Sequence, residues 1–446
     1  MKKSLFIIAL GAFALTSCSQ DEVLDVQKDA VQFSVVADKA SRGAVTTTAT
    51  IEDFKVTAFN ANNEGVNTTT FMSGVDVTKS GDNWGYGSTK FWPTSGAINF
   101  YSYSPANLAE KTFATIKMEA TSTVVVEGAN VTTNKGGQTL TYDAPTDCSS
   151  QVDVLYALNT GLSKKDGEVK VNFRHALSQI VFRAKNVKTD LEVDVIGVRV
   201  VNLKNSGVFT WPTASTNNPD YSDDLSVEGV AGEDTQLANN SWGSWALGDT
   251  YKTYPAALAF AEGKSSTVLT SDPVVLTDQA NPLLVLPQDK IVPATVNAGG
   301  YMELNEGETY FAVKCKIYNV EGGVKTLLWP NAEGYAEVVI PTTSPDTDTN
   351  GNYIWKQGKK YIYTFVFGEG AGYVGPNGDN PEDDPNQNGT DPVGDKNDPS
   401  DPADPNEPGE PVLVPVTFTV TVDEFQNAQY SDVDMNTGNA VTGTNP

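Results

Sequence analysis

Apolar and polar residues alternate along most of this chain with a period of two. Val31, Phe33 and Val35 are interleaved with Gln32 and Ser34, and Phe54, Val56 and Ala58 with Lys55 and Thr57. Val169, Val171 and Phe173 alternate with Lys170, Asn172 and Arg174, and Ile180, Phe182 and Ala184 follow. Successive side chains of a strand point to opposite faces, so this period predicts half-buried antiparallel strands. Gly, Asn and Asp clusters bound the runs, and Thr, Val and Tyr are abundant between them, as strands favour. No long segment repeats with the helical period. The chain is predicted to be all-β, with its strands layered as β-sandwiches.

The polar stretch from Lys185 to Asp190 marks a domain boundary. It places one sandwich over residues 31–187 and a second over 188–368. The second closes on Tyr361–Phe367, which is apolar on both faces and so predicts a central strand. Residues 369–411 are dominated by Gly, Pro, Asn and Asp, with repeated Asp-Pro pairs. That composition predicts an acidic, disordered linker. Its forty or so residues reach on the order of 100 Å if extended. Residues 412–446 then hold one more alternating run: Val416, Phe418, Val420 and Val422 against Thr417, Thr419, Thr421 and Asp423.

The N-terminus has a different pattern. Lys2 and Lys3 precede an apolar run from Leu5 to Leu15, and Thr16-Ser17-Cys18 close it. Residues 1–17 read as a signal peptide, too short in its apolar part to span a bilayer stably. The small residues before Cys18 resemble a lipobox, the recognition site of lipoprotein signal peptidase. The Cys18 thiol forms a thioether to the lipid, and cleavage before Cys18 leaves that residue acylated, with palmitate or a similar chain, at the new N-terminus. Each buried CH₂ of that lipid contributes about 0.8 kcal/mol to anchoring in the outer membrane. Residues 18–30 form a polar tether, and its start, Ser19-Gln-Asp-Glu22, resembles the surface-export signals of Bacteroidota lipoproteins.

The 446 residues carry a net charge of -26, which disfavours nucleic acid and anionic membrane surfaces as partners. Besides Cys18 there are Cys148 and Cys315, placed in different predicted domains and so expected as two unpaired thiols. Cys315 shares its strand face with Phe311, Val313 and Ile317, which turns it to the core.

Little in the chain suggests catalysis. His175 is the only histidine, and one imidazole makes neither a metal site nor a triad. No nucleophile elbow is present. Gly85 and Gly87 read as turn glycines, too closely spaced for a phosphate-binding fingerprint. No cofactor and no enzymatic activity are expected. Asp346-Thr-Asp-Thr-Asn-Gly-Asn352 resembles the start of a calcium loop, but its twelfth position is Gln357. An Asx-rich hairpin tip explains it as well. Trp242 and Trp245 either stack on a glycan or anchor a long loop.

Several short motifs occur in a telling order. They are Phe91-Trp-Pro93, Ile98-Asn-Phe-Tyr-Ser-Tyr-Ser-Pro105, Asp153-Val-Leu-Tyr-Ala157, Phe173-Arg-His-Ala-Leu-Ser-Gln-Ile180 and Trp355-Lys-Gln-Gly-Lys-Lys-Tyr-Ile-Tyr363. Together they resemble the fimbrillin-like lipoproteins of Bacteroidota, the subunits of type V pili, over roughly residues 18–368. The resemblance implies two tandem transthyretin-like β-sandwiches and assembly with other pilus subunits by strand exchange. A trypsin-like protease removes an N-terminal strand, and a donor strand fills the groove. Cleavage between Arg42 and Gly43 would remove the first strand. Val416, Phe418, Val420 and Val422 would be the pocket-fillers of the donor, unless that strand packs on its own subunit. The expected role is a structural subunit of a surface fimbria that supports adhesion, with a host or glycan receptor among its partners. The other reading is a standalone surface lipoprotein that binds glycans for polysaccharide uptake.

Overall fold

The computed structural model describes residues 30–35, 50–120, 122–126, 129–133, 138–212, 215–216, 242–243, 251–254, 266–277, 281–298, 300, 302–305, 307–330, 334–348, 350–368, 372–375, 412, 417–424, 432–434 and 439–441. Among them the fold is all-β, and the helical elements are three short 3-10 turns at Ala106–Glu110, Cys148–Ser150 and Lys164–Asp166.

The first half is built on a six-stranded antiparallel sheet. Its order is Arg174–His175, Leu155–Leu162, Ala97–Ser104, Asp53–Ala61, Asn67–Ser80 and Asn83–Tyr86. Its central strands are buried on both faces. Ile98 and Phe100 enter one core with Phe54, Val56 and Ala157, while Tyr101 and Tyr103 enter another with Tyr156 and Leu158. The first core is closed by a two-stranded parallel sheet, Gln32–Val35 on Glu168–Val171. A four-stranded sheet, Trp242–Gly243, Ser206–Thr210, Gln138–Asp143 and Ala114–Met118, contributes Phe209, Leu140 and Tyr142 to the second. Phe209 lies 4.7 Å from Tyr156, ring centre to ring centre.

The second half pairs two larger sheets. One runs Val274–Val275, Ser178–Asn186, Lys359–Phe367, Thr417–Glu424, Asp432–Asp434 and Asn439–Val441, with Leu283–Val285 also on Ser178–Asn186. The other runs Tyr251–Tyr254, Leu191–Lys204, Tyr310–Glu321, Ala336–Pro341 and Tyr373–Val374, flanked by Thr267–Val268 and Val324–Trp329. Phe311 joins them, 5.4 Å from Phe182, 4.5 Å from Tyr363 and 5.6 Å from Phe365. Lys359–Phe367 is flanked on both sides, as its apolar faces predict. Cys315 is fully buried on Tyr310–Glu321, and burial pushes its thiol well above the usual range. Neither Cys148 nor Cys315 is in a disulfide.

Two strands link the halves across residues 187 and 188, where the polar break falls. Ser178–Asn186 lies parallel to Lys359–Phe367, and Ser206–Thr210 lies antiparallel to Gln138–Asp143. Largely for this reason a single apolar cluster runs from Tyr101 and Leu140 through Phe182 to Phe311 and Phe365. Gly85, expected in a turn, lies within Asn83–Tyr86 opposite Thr78.

Candidate assembly sites at the terminal strands

The N-terminal strand is attached to the fold in an unusual way. Gln32–Val35 has one strand partner, Glu168–Val171, and that strand has no other among the described residues. The pairing is parallel, with Gln32 opposite Glu168 and Ser34 opposite Lys170. The side chains nevertheless reach deep into the core. Phe33 is buried edge to face against Phe54, Tyr86 and Phe100, at 5.9, 5.6 and 6.0 Å. Val31 is buried beside it; its N–H donates to the Lys90 carbonyl at 2.8 Å and its carbonyl accepts from the Tyr86 hydroxyl at 2.8 Å. Without these residues the groove would keep Val169, Val171, Phe54, Phe100 and Trp92 as an apolar floor. It would also keep a strand with no ladder partner, a combination that invites another strand. Asn159 would still hold that strand, through its amide to the Lys170 carbonyl at 2.9 Å. Tyr86 went unnoticed in the sequence because Trp84-Gly-Tyr-Gly reads as a turn.

The C-terminal strand belongs to a different sheet. Thr417–Glu424 pairs antiparallel with Lys359–Phe367 of its own chain. Phe418 is opposite Phe365, Val420 opposite Tyr363 and Val422 opposite Tyr361. Each of those three partners is fully buried. Just upstream, Val412 is buried in the main core and donates its N–H to the Gly372 carbonyl at 2.7 Å. The two ends of residues 373–411 therefore meet. In sequence, four residues, 413–416, separate Val412 from the strand. Cys18, Arg42, Gly43 and Val416 lie outside the described residues.

The motif Trp355–Tyr363 wires the strand's docking edge to the rest of the fold. Tyr363 accepts from Trp355 Nε1 and donates to the Thr343 carbonyl, both at 2.8 Å. Tyr361 accepts from the Lys356 N–H and donates to Asp346, both at 2.7 Å. Burial pushes both phenols above their usual range. Gln357 donates to the Tyr156 hydroxyl at 2.9 Å, and the Gly358 N–H to the Leu177 carbonyl at 2.9 Å, tying this turn to the first half.

The remaining candidate residues are occupied in packing. Asp346 binds Tyr361 and the Lys356 ammonium, the latter at 3.1 Å. Asp348 accepts from the N–H groups of Asn350 and Asn352, each at 2.8 Å, and from the Asn352 side chain at 2.7 Å. The Asn352 amide in particular holds its carboxyl below the usual range. This is an Asx-rich hairpin, and Gln357 at the twelfth position points to Tyr156 instead. No cluster of three His, Cys, Asp or Glu suited to a metal occurs among the described residues. His175 Nδ1 lies 2.9 Å from Asp153, which joins the two motifs holding these residues. Trp242 is buried, with its Nε1 donating to the Ala176 carbonyl at 2.7 Å and its ring 5.5 Å from Phe209. It is packed in the core and so is not open to a glycan. Trp245 lies outside the described residues.

Known proteins similar to this chain are of one kind. A family model described as fimbrillin-like matches residues 40–378. A fimbrium subunit, Fim1C, of Phocaeicola vulgatus is 24% identical over 274 residues, covering 54% of this chain and 69% of that protein. A crystal structure of a fimbrial protein from Bacteroides vulgatus superposes with a TM-score of 0.49 at 17% identity, covering 76% of this chain and 94% of that one. The tip fimbrial protein Mfa3 from Porphyromonas gingivalis, truncated at its C-terminus, gives a TM-score of 0.25 at 13% identity over 71% of this chain and 89% of its own. The family match takes in both sheet systems and stops before the C-terminal strand, and on its extent the chain belongs to the fimbrillin-like family.

Proposed function

We propose that this chain is a structural subunit of a cell-surface fimbria, assembled by exchange of terminal β-strands and supporting adhesion. Family membership and the fimbrial relative support the subunit role. The observation that carries strand exchange is the attachment of Gln32–Val35: one ladder partner, yet Val31 and Phe33 in the core. Once cut, such a strand has a single ladder and its core side chains to hold it, and what it leaves behind is a binding groove. In the uncut chain both terminal strands are satisfied, the first in its groove and the last on Lys359–Phe367. The subunit is then inert. Cleavage between Arg42 and Gly43 by a trypsin-like protease empties the groove and makes donation by a neighbour favourable. Lipidation of Cys18 anchors the precursor in the outer membrane until assembly, and places the fimbria at the cell surface.

The alternative of a standalone glycan-binding lipoprotein loses its leading residue, because Trp242 is buried. The test compares the chain cut after Arg42 with the same chain lacking residues 417–446. The full-length cut chain should form a detergent-resistant ladder, and the shortened one should remain monomeric. Equal ladders from both would exclude donation. Cells that display unchanged fimbriae after loss of the gene would exclude the subunit role itself.

A further inference from the structure

A cleft of about 340 Å³ opens where the two halves of the fold meet. Its walls come from the residues that lead into Asp53–Ala61, from Ser104 and Pro105, from the turn that begins at Cys148, and from Pro282 and Leu284 of the second half. The carboxylates of Glu52, Asp53 and Asp153 line it, and no lysine or arginine does. Asp153 is engaged by His175. Asp53 accepts the Ala106 N–H at 2.8 Å through one of its two oxygens. Gln151 is bound into the frame: its Nε2 donates to the Pro145 carbonyl and its Oε1 accepts from the Leu284 N–H, both at 2.7 Å. The cleft therefore offers a guest negative charge between apolar walls, Ile51, Pro105 and Leu284 among them. A small cation with little bulk behind it matches that chemistry.

The chain itself makes such a cation when it is cut. Hydrolysis of the Arg42–Gly43 peptide bond leaves a carboxylate on Arg42 and an amine on Gly43, and an α-amino group is mostly charged at neutral pH. Residues 43–49 read Gly-Ala-Val-Thr-Thr-Thr-Ala and carry no charged side chain, and Thr50, which follows them, is already in the cleft wall. The seven residue steps from Gly43 to Thr50 span roughly 23 Å at most, so the cut end can turn back into the cleft. The first strand also ends on this side of its sheet. Val35 is opposite Val171, and His175, four positions further on, is opposite Leu155, which in turn is opposite Ser104 of the cleft. Resting on cleavage as proposed above, we propose that this cleft is the seat of the new N-terminus, with the Gly43 ammonium held by the carboxylates of Glu52 and Asp53. Before the cut the Gly43 nitrogen is an uncharged amide with chain on both sides, and it has nothing to offer the two carboxylates. After the cut, the net charge of -26 adds to the attraction. The seated end is fixed at the junction of the halves and does not trail across the groove that the first strand vacates.

The reactivity of the Gly43 amine tests this. The full-length chain is cut after Arg42 and its new N-terminus is identified by sequencing. Acetylation of that amine by an activated ester at neutral pH is followed by mass spectrometry of the N-terminal peptide, in the folded cut chain and in the same chain unfolded in urea. The rate should be roughly tenfold lower in the folded chain, the protection that one charge-assisted hydrogen bond gives. Two variants take the seat away by different means. Glu52→Gln removes the charge of an exposed carboxylate, and Thr50→Arg sets a resident cation at an exposed point of the wall. Both should react at the rate of the unfolded chain while keeping the wild-type melting temperature. Equal rates in the folded and unfolded wild-type chain overturn the inference and leave cleavage intact. Protection that survives in both variants places the amine elsewhere and overturns the inference as well. A cut chain whose new N-terminus is not Gly43 overturns the cleavage on which the inference rests.

Discussion

Val412 donates its backbone N–H to the carbonyl of Gly372 across 2.7 Å, although forty positions of chain separate them. This bond, with the burial of the Val412 side chain, fixes where the C-terminal arm begins. Five residue steps separate Val412 from Thr417, a reach of roughly 17 Å at full extension. While Val412 stays seated, a donated strand must enter a subunit that abuts this one.

The clasp depends on a glycine. Gly372 has φ +89°, and a Cβ there would lie 2.8 Å from the Val339 carbonyl oxygen, a backbone atom that cannot step aside. Gly372→Ala is expected to destabilise the second sandwich by about 1–3 kcal/mol, the usual scale of such strain. Thermal or urea unfolding of the uncut chain reads this. Gly85→Ala is the comparison, since its Cβ would meet nothing within 4 Å. Equal stability of the two variants would show that the clasp contributes little.

The lipid anchor predicts a labelling result. Lys2, Lys3, the apolar run and Thr16-Ser17 all lead to Cys18. Cells fed a clickable fatty acid should label the wild-type chain and fail to label Cys18→Ala. The same variant should leave the membrane fraction, because removing the lipid removes the apolar surface that holds it. Undiminished labelling would place the lipid elsewhere or nowhere.

Cleavage at Arg42 has a distinct signature. Trypsin at low dose should yield a product starting at Gly43, with the aromatic core around Phe54 and Phe100 exposed enough to bind a hydrophobic dye. Loss of Phe33 removes one partner from each of three ring contacts. Arg42→Ala should resist this cut, bind no dye and stay monomeric. Dye binding that is the same before and after cleavage would mean that Gln32–Val35 remains in place without its covalent bond.

The strands were legible because their pattern is local. Alternation at Val31–Val35, Phe54–Ala58 and Tyr361–Phe367 needs only neighbouring residues to be read, and each became a strand. Pairing was not legible. The parallel partners of Gln32–Val35 and Ser178–Asn186 lie 136 and 181 positions away by their registers, Gln32 to Glu168 and Gln179 to Lys360. Local periodicity carries no information on which strands meet. The Val412 clasp was hidden for the same reason. The motif Trp355–Tyr363 was visible as a likeness, but its physical content was not: a buried tyrosine and tryptophan network, with Gln357 joining the two halves. Trp242 illustrates the converse. Its Ser, Gly and Asn neighbours suggest exposure, yet tertiary packing on Phe209 and Tyr142 decides its burial.

The last prediction concerns alkali. Burial, with the nearby Asp76 and Glu110, pushes the Tyr103 phenol up to about 12, and burial does the same to Tyr310, also to about 12. Tyr142, Tyr361 and Tyr363 are shifted in the same direction, chiefly by burial. An unfolded tyrosine titrates near 10. Between about pH 10 and pH 12 the unfolded chain has lost these protons while the folded chain keeps them. The folded state then binds more protons, so its stability falls as pH rises through this window and is fully retained below it. The melting temperature should hold steady up to about pH 9.5 and drop steeply above pH 10. Tyrosinate absorbance at 295 nm should rise in two stages: exposed phenols first, and the buried set only with loss of near-ultraviolet circular dichroism. Tyr363→Phe should make the second stage smaller, though losing the bonds to Trp355 and Thr343 also destabilises the fold. A single smooth titration centred near pH 10, with the dichroism unchanged, would show that these hydroxyls are open to solvent and that the buried network around Lys359–Phe367 is not formed.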